Sequence, residues 1–158
     1  MQSPHRRDVL LAAGATLGGV GLAGCSDLLG ENGEFALTEV AFAAESPTGV
    51  GEFDPQPDAT YAAGDPVWVY VEVANPPTDD DGTATLSYTY AVTAPDGEAW
   101  EPHEREETWE DAANVDVMVA QEFETFEDDP SGEYVLEVQV DAQATDEHRE
   151  ETVSFFLE

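Results

Sequence analysis

The chain has 158 residues and carries 36 acidic residues against four basic ones, none of them lysine. A formal net charge of −32 repels both phosphate backbones and anionic lipid headgroups, which excludes nucleic acid as a partner and excludes membrane attachment through the protein surface. The apolar share, 41%, and 15 aromatic residues are too many for a chain kept unfolded by charge, and the length suits one domain with its own hydrophobic centre.

The first segment, Met1 to Asp8, is polar and concentrates its positive charge in Arg6 and Arg7. Val9 to Gly24 then runs for 16 residues without a charge. A basic start, an apolar middle and small residues at the end form a secretory signal. The apolar run is short for a bilayer span, which needs about 20 residues, and its five glycines weaken any helix. His5-Arg6-Arg7-Asp8-Val9-Leu10-Leu11 resembles a twin-arginine export motif, and Leu22-Ala23-Gly24-Cys25 resembles a bacterial or archaeal lipobox. The resemblance implies that residues 1–24 are removed, that Cys25 takes a diacylglyceryl thioether, and that the protein sits on the extracellular face of the cytoplasmic membrane. Two acyl chains suffice for stable anchoring. With Cys25, the chain's single cysteine, used in this way, no thiol remains for a disulfide or a nucleophile.

Residues 25–34 read as a short acidic tether and 35–158 as the folded domain. Past the leader only Arg105 and Arg149 remain as cations, against all the acids except Asp8. In dilute buffer such like charge opposes compaction, whereas at about 1 M salt the screening length falls to about 3 Å. The composition resembles the proteomes of salt-accumulating archaea.

From Phe35 onward, period-two alternation predicts strands bounded by Pro, Gly, Asp and Asn. Phe35–Phe42 is apolar, but its parity shifts between Leu37 and Val40, which a bulge or a change of sheet would account for. Val67, Val69, Val71 and Val73 share one face, with Trp68, Tyr70 and Glu72 on the other. Leu86–Thr93, Val115–Ala120, Tyr134–Asp141 and Val153–Leu157 alternate likewise, and Glu98–Glu107 is a further candidate strand. Thr108–Ala113 is the one candidate helical segment. The fold expected is all-β, an antiparallel two-sheet sandwich of about seven strands. Ala62-Ala63-Gly64-Asp65-Pro66-Val67-Trp68-Val69 and Ser131-Gly132-Glu133-Tyr134-Val135-Leu136 resemble the strand openings of immunoglobulin-like domains of secreted proteins. The resemblance implies a tyrosine corner at Tyr134; the antibody-type cysteine pair is absent. Pro95-Asp96-Gly97-Glu98-Ala99-Trp100 resembles a proteinase-inhibitor family of the same fold.

Chemistry is harder to find. Asp79-Asp80-Asp81-Gly82 offers oxygen ligands for calcium but lacks the alternating ligands and closing glutamate of an EF-hand, so a solvated turn is the better reading, as for Glu127-Asp128-Asp129. His103 and His148 would make a zinc or copper site if folding brought them together, but nothing in their spacing requires it and each has an arginine close by. No metal or other cofactor is called for. The chain contains no Gly-x-Ser-x-Gly, no free thiol nucleophile and no lysine, and no carboxylate pair stands out, so no catalytic residue is assigned and an enzyme is not expected. Trp68 and Tyr70, with Trp100, Trp109 and Phe156, form a candidate binding patch unless a loop or the segment 98–111 covers them.

These readings converge on a lipid-anchored, non-enzymatic surface domain that recognises another surface protein. A small-ligand- or metal-binding accessory of an exported enzyme or transporter, or a proteinase inhibitor, is the alternative. The charge reading predicts that the midpoint of urea unfolding rises steeply between dilute buffer and multimolar KCl. Equal midpoints at the two salt concentrations would remove the argument for adaptation to brine.

Overall fold

A computed structural model describes residues 33–158; the leader, Cys25 and all but the last two residues of the tether lie outside the described residues. Eight strands follow one another: β1 Ala36–Ala43, β2 Thr60–Tyr61, β3 Val67–Ala74, β4 Ala84–Thr93, β5 His103–Trp109, β6 Val117–Phe123, β7 Gly132–Ala142 and β8 His148–Leu157, with a single 3₁₀ turn at Pro57–Ala59. They form two sheets, β1-β3-β6 and β2-β8-β7-β4-β5, in which every pairing is antiparallel except β2 with β8. Among the described residues no helix is long and apolar enough to cross a membrane.

The alternation expected from sequence is what builds the core. Val67, Val69, Val71 and Val73 of β3 are completely buried and face Leu86, Tyr88, Tyr90 and Val92 of β4 and Tyr134, Leu136, Val138 and Val140 of β7. The register of β1 against β3 slips between Leu37 and Glu39, at the break in parity; the slip lets Leu37 and Phe42, of opposite parity, both reach the core. Tyr134 stacks on Phe155 and its hydroxyl donates to the Pro130 carbonyl at 2.7 Å, four residues upstream, which is the tyrosine-corner geometry. Beside it Gly132 sits at φ +138°, with Pro95 Cγ 3.0 Å from where a Cβ would be, so any other residue here is strained.

The two-residue β2 has no periodic signal and adds an eighth strand to the about seven expected. Three expectations need correction. Thr108–Ala113 is the end of β5 and a turn, because Ala112 N–H bonds to the Gly82 carbonyl and draws the segment across the sandwich end. Val115, placed in a strand by its spacing, precedes β6 and is 46% exposed. Tyr70 is fully buried and belongs to no surface patch: residues 44–56 fold over the outer face of the three-stranded sheet, Phe53 stacks on the Tyr70 ring at 4.3 Å, and Gly51 N–H donates to its hydroxyl at 2.7 Å. An aromatic side chain on the outer face of a sheet gains most by being covered, and here a loop covers it.

The two open seams between the sheets are each closed by an arginine. On one side Arg105 of β5 reaches across to donate to the Ala120 carbonyl of β6 at 2.8 Å while pairing with Glu107. On the other, Arg149 of β8 donates to the Phe35 carbonyl at 3.0 Å, lies over the Phe35 ring and pairs with Glu147. A charge-assisted hydrogen bond contributes about 1.5–3 kcal/mol, less where solvent reaches it. Arg105→Gln and Arg149→Gln should each cost about 1–2 kcal/mol of unfolding free energy by urea titration at fixed salt, additively because the sites are far apart. A change below about 0.5 kcal/mol in either would show that its seam is closed by packing alone.

Candidate functional site

The strand registers give the sandwich two distinct ends. Phe35, the 75–83 connection, the 110–116 connection and the start of β8 gather at one end, where the tether enters; Ala94–Trp100, Glu124–Ser131 and the end of β8 gather at the other. This polarity separates the two histidines. His103 begins β5 opposite Tyr90, and His148 begins β8 opposite Asp141, with β4 and β7 between them. Strand spacing and the three-residue offset put them about 17 Å apart. Among the described residues no group of three or more histidine, cysteine or carboxylate side chains could hold a metal.

The acidic runs are built into turns. Asp79 Oδ1 accepts the N–H groups of Asp81 and Thr83 at 2.9 and 3.0 Å, and Asp129 Oδ2 accepts that of Phe126 at 2.8 Å. These carboxylates satisfy loop backbone. A different acidic feature lies on the outer face of the three-stranded sheet, where Glu39 of β1 stands opposite Glu72 of β3. Partial desolvation, then the Glu72 charge, raises the Glu39 carboxyl above the usual carboxylate range.

The feature with the most recognition chemistry is a cleft of about 390 Å³ on the β5–β6 seam at the end far from the tether. Tyr90 and Val92 of β4, nearly inaccessible, form its floor. Trp100, Glu101 and His103 come from the β4–β5 connection and the start of β5; Glu122, Phe123 and Glu124 come from the end of β6. The Trp100 N–H bonds to the Val92 carbonyl at 2.8 Å, and its ring packs against Phe123, Tyr134 and Phe155. The local reason is the Asp96-Gly97 turn, held by Gly97 N–H on Ala94 and Glu98 N–H on Asp96, which throws Trp100 back over the core. Phe126, two residues past Glu124, is 61% exposed at the same end. Of the residues named from sequence, the site takes in Trp100 and His103. Trp68 is half-buried on the other sheet's outer face, Trp109 packs against Tyr88 at the tether end, and Phe156 is partly exposed on the five-stranded sheet. Glu122, Phe123 and Glu124 carried no signal in the sequence beyond composition.

No family model and no curated protein matches this chain. Solved structures do. The chain is similar to part of a family 123 glycoside hydrolase from Clostridium perfringens, studied for glycolipid glycan hydrolysis, with TM-score 0.50 and 8% identity over 76% of this chain and 27% of that one. It is also similar to an immunoglobulin-like protein from Pseudomonas aeruginosa (TM-score 0.44, 18% identity, 82% of this chain and 100% of that one) and to part of a Bacteroides uniformis β-glucuronidase (TM-score 0.46, 12% identity, 75% and 13%). The chain thus spans about a quarter or less of either glycosidase. At these identities the likeness is one of fold, and immunoglobulin-like sandwiches host many unrelated functions.

All five tyrosines of the chain have their phenolic protons held more tightly than in a free side chain. Burial pushes Tyr61 and Tyr70 up to about 12, Tyr70 helped by its hydrogen bond to Glu72, and burial also raises Tyr88, Tyr90 and Tyr134. The folded state therefore holds phenolic protons that the unfolded chain releases near pH 10, so this contribution to stability is intact below pH 10 and lost as pH rises toward 12. Ultraviolet titration should show little phenolate at pH 10 while circular dichroism stays native, then its appearance together with unfolding. Substantial phenolate in the native state at pH 10 would contradict the burial.

Proposed function

We propose that this protein is a non-enzymatic recognition domain, tethered by a lipidated Cys25 to the outer face of a haloarchaeal-type membrane and presenting its far end to another surface protein. The observation that carries the reading is polarity: the tether enters at one end, and the aromatic, acid-walled cleft opens at the opposite end. Acidic residues on the tether side, among them Asp79, Asp80, Asp81, Asp111 and Asp116, repel anionic headgroups and favour a domain standing off the bilayer. Arg6, Arg7 and the Leu22-Ala23-Gly24 lipobox supply the export and processing signals that this reading needs. A small-ligand accessory is the second reading, favoured by the volume of the cleft, which falls in the range of small-molecule sites.

Cys25→Ser should move the protein from the membrane fraction to the soluble fraction after export, and intact-mass measurement should show a diacylglyceryl group on the parent protein alone. If the variant still sediments with membranes, the anchor lies elsewhere. Affinity capture of the lipidated protein in high salt, with cross-linking, tests the recognition half; reproducible absence of any cross-linked partner would remove it.

A further inference from the structure

The cleft combines two chemistries that a single kind of group satisfies. It is lined by the half-buried Trp100 and the nearly covered Phe123, with the exposed Glu101, Glu122 and Glu124 and His103 around them. None of these carboxylates has a salt-bridge partner among the described residues, where the ion pairs are Arg105–Glu107 and Arg149–Glu147. Both arginines are committed to seams, and past the leader the chain has no other lysine or arginine to offer. No lysine or arginine of the molecule therefore offsets this charge. A metal ion would leave the rings unused, and a neutral sugar would leave the carboxylates uncompensated. A cation on an apolar stem uses both, because the methylenes lie along the rings while the head reaches the carboxylates and the ring faces.

We propose that the Trp100–Phe123 cleft is the docking site for a lysine or arginine side chain carried by a basic segment of a partner protein. Charge complementarity selects the occupant, and the apolar surface of Trp100 favours a stem of methylenes over a small ammonium ion. In concentrated salt, long-range attraction is screened, but contact between a desolvated cation and an aromatic face persists. The inference rests on the recognition reading above and names its site and the chemistry of its partner.

The test uses the exported chain carrying Cys25→Ser, ¹⁵N-labelled, in high salt. It is titrated with a capped Gly-Arg-Gly-Lys-Gly peptide, with the neutral peptide in which glutamine replaces both basic residues, and with tetramethylammonium chloride. The basic peptide should shift the Trp100 indole signal and leave those of Trp68 and Trp109 in place, and the neutral peptide should shift none. Glu122→Gln with Glu124→Gln, both exposed and harmless to the fold, should weaken peptide binding about fivefold or more. In cross-linked capture the same double variant should lose the partner that the parent protein retains. No shift with the basic peptide, equal shifts with both peptides, or competition by tetramethylammonium at peptide-like concentrations would overturn the proposal, the last by making this a small-cation site. A double variant that captures the partner undiminished would move the dock elsewhere and leave the recognition reading standing. A parent that captures nothing would remove both.

Discussion

Two guanidinium groups hold the open sides of this sandwich, and the molecule has no others to spend past its leader. Apolar burial pulls the sheets together face to face, but that force is non-directional and does not fix how the edges meet. Arg105 and Arg149 supply direction, each placing charge-assisted donors on a backbone carbonyl of the opposite sheet while a neighbouring glutamate neutralises it. Arginine suits this role because its fork of donors bonds a carbonyl and a carboxylate at once. In a surface of near-uniform negative charge, a freely exposed cation would wander among many carboxylates; these two are fixed by geometry. The remaining acids are left to solvent and salt, and the negative character of the cleft follows directly from that commitment.

The sheet faces were legible because antiparallel strands with one wet face must alternate, and the valines of β3 and the tyrosines of β4 and β7 do so without interruption. The bulge in β1 showed as a break in parity, and the corner at Tyr134 showed as a local motif. What could not be read depends on contacts between distant segments. The two residues of β2 pair with the last strand, far along the chain, and a run that short has no period. The cover over Tyr70 comes from residues 44–56, whose Gly and Pro content reads as a loop with no stated destination. The candidate patch at Trp68 and Tyr70 failed for that reason, and the cleft went unseen because its two walls come from segments about twenty residues apart that meet only across the seam.

The proposed recognition site would draw its selectivity from one half-buried ring beside exposed carboxylates. Trp100 lies on a connection but is locked by the backbone bond to Val92 and by three rings of the core. Such a preorganised surface loses little side-chain entropy on contact.

The placement of β8 bears on how the chain is made. This last strand in sequence lies between β2 and β7, supplies Phe155 and Leu157 to the interior, and carries Arg149. Everything synthesised before it lacks one neighbour of β7, the partner of β2 and one of the two arginine seams. Without β8 the five-stranded sheet is incomplete and the Arg149 seam is absent. The pairing of β8 with β7 is a local hairpin, whereas its pairing with β2 joins segments far apart in sequence, the kind of contact that is slow to form.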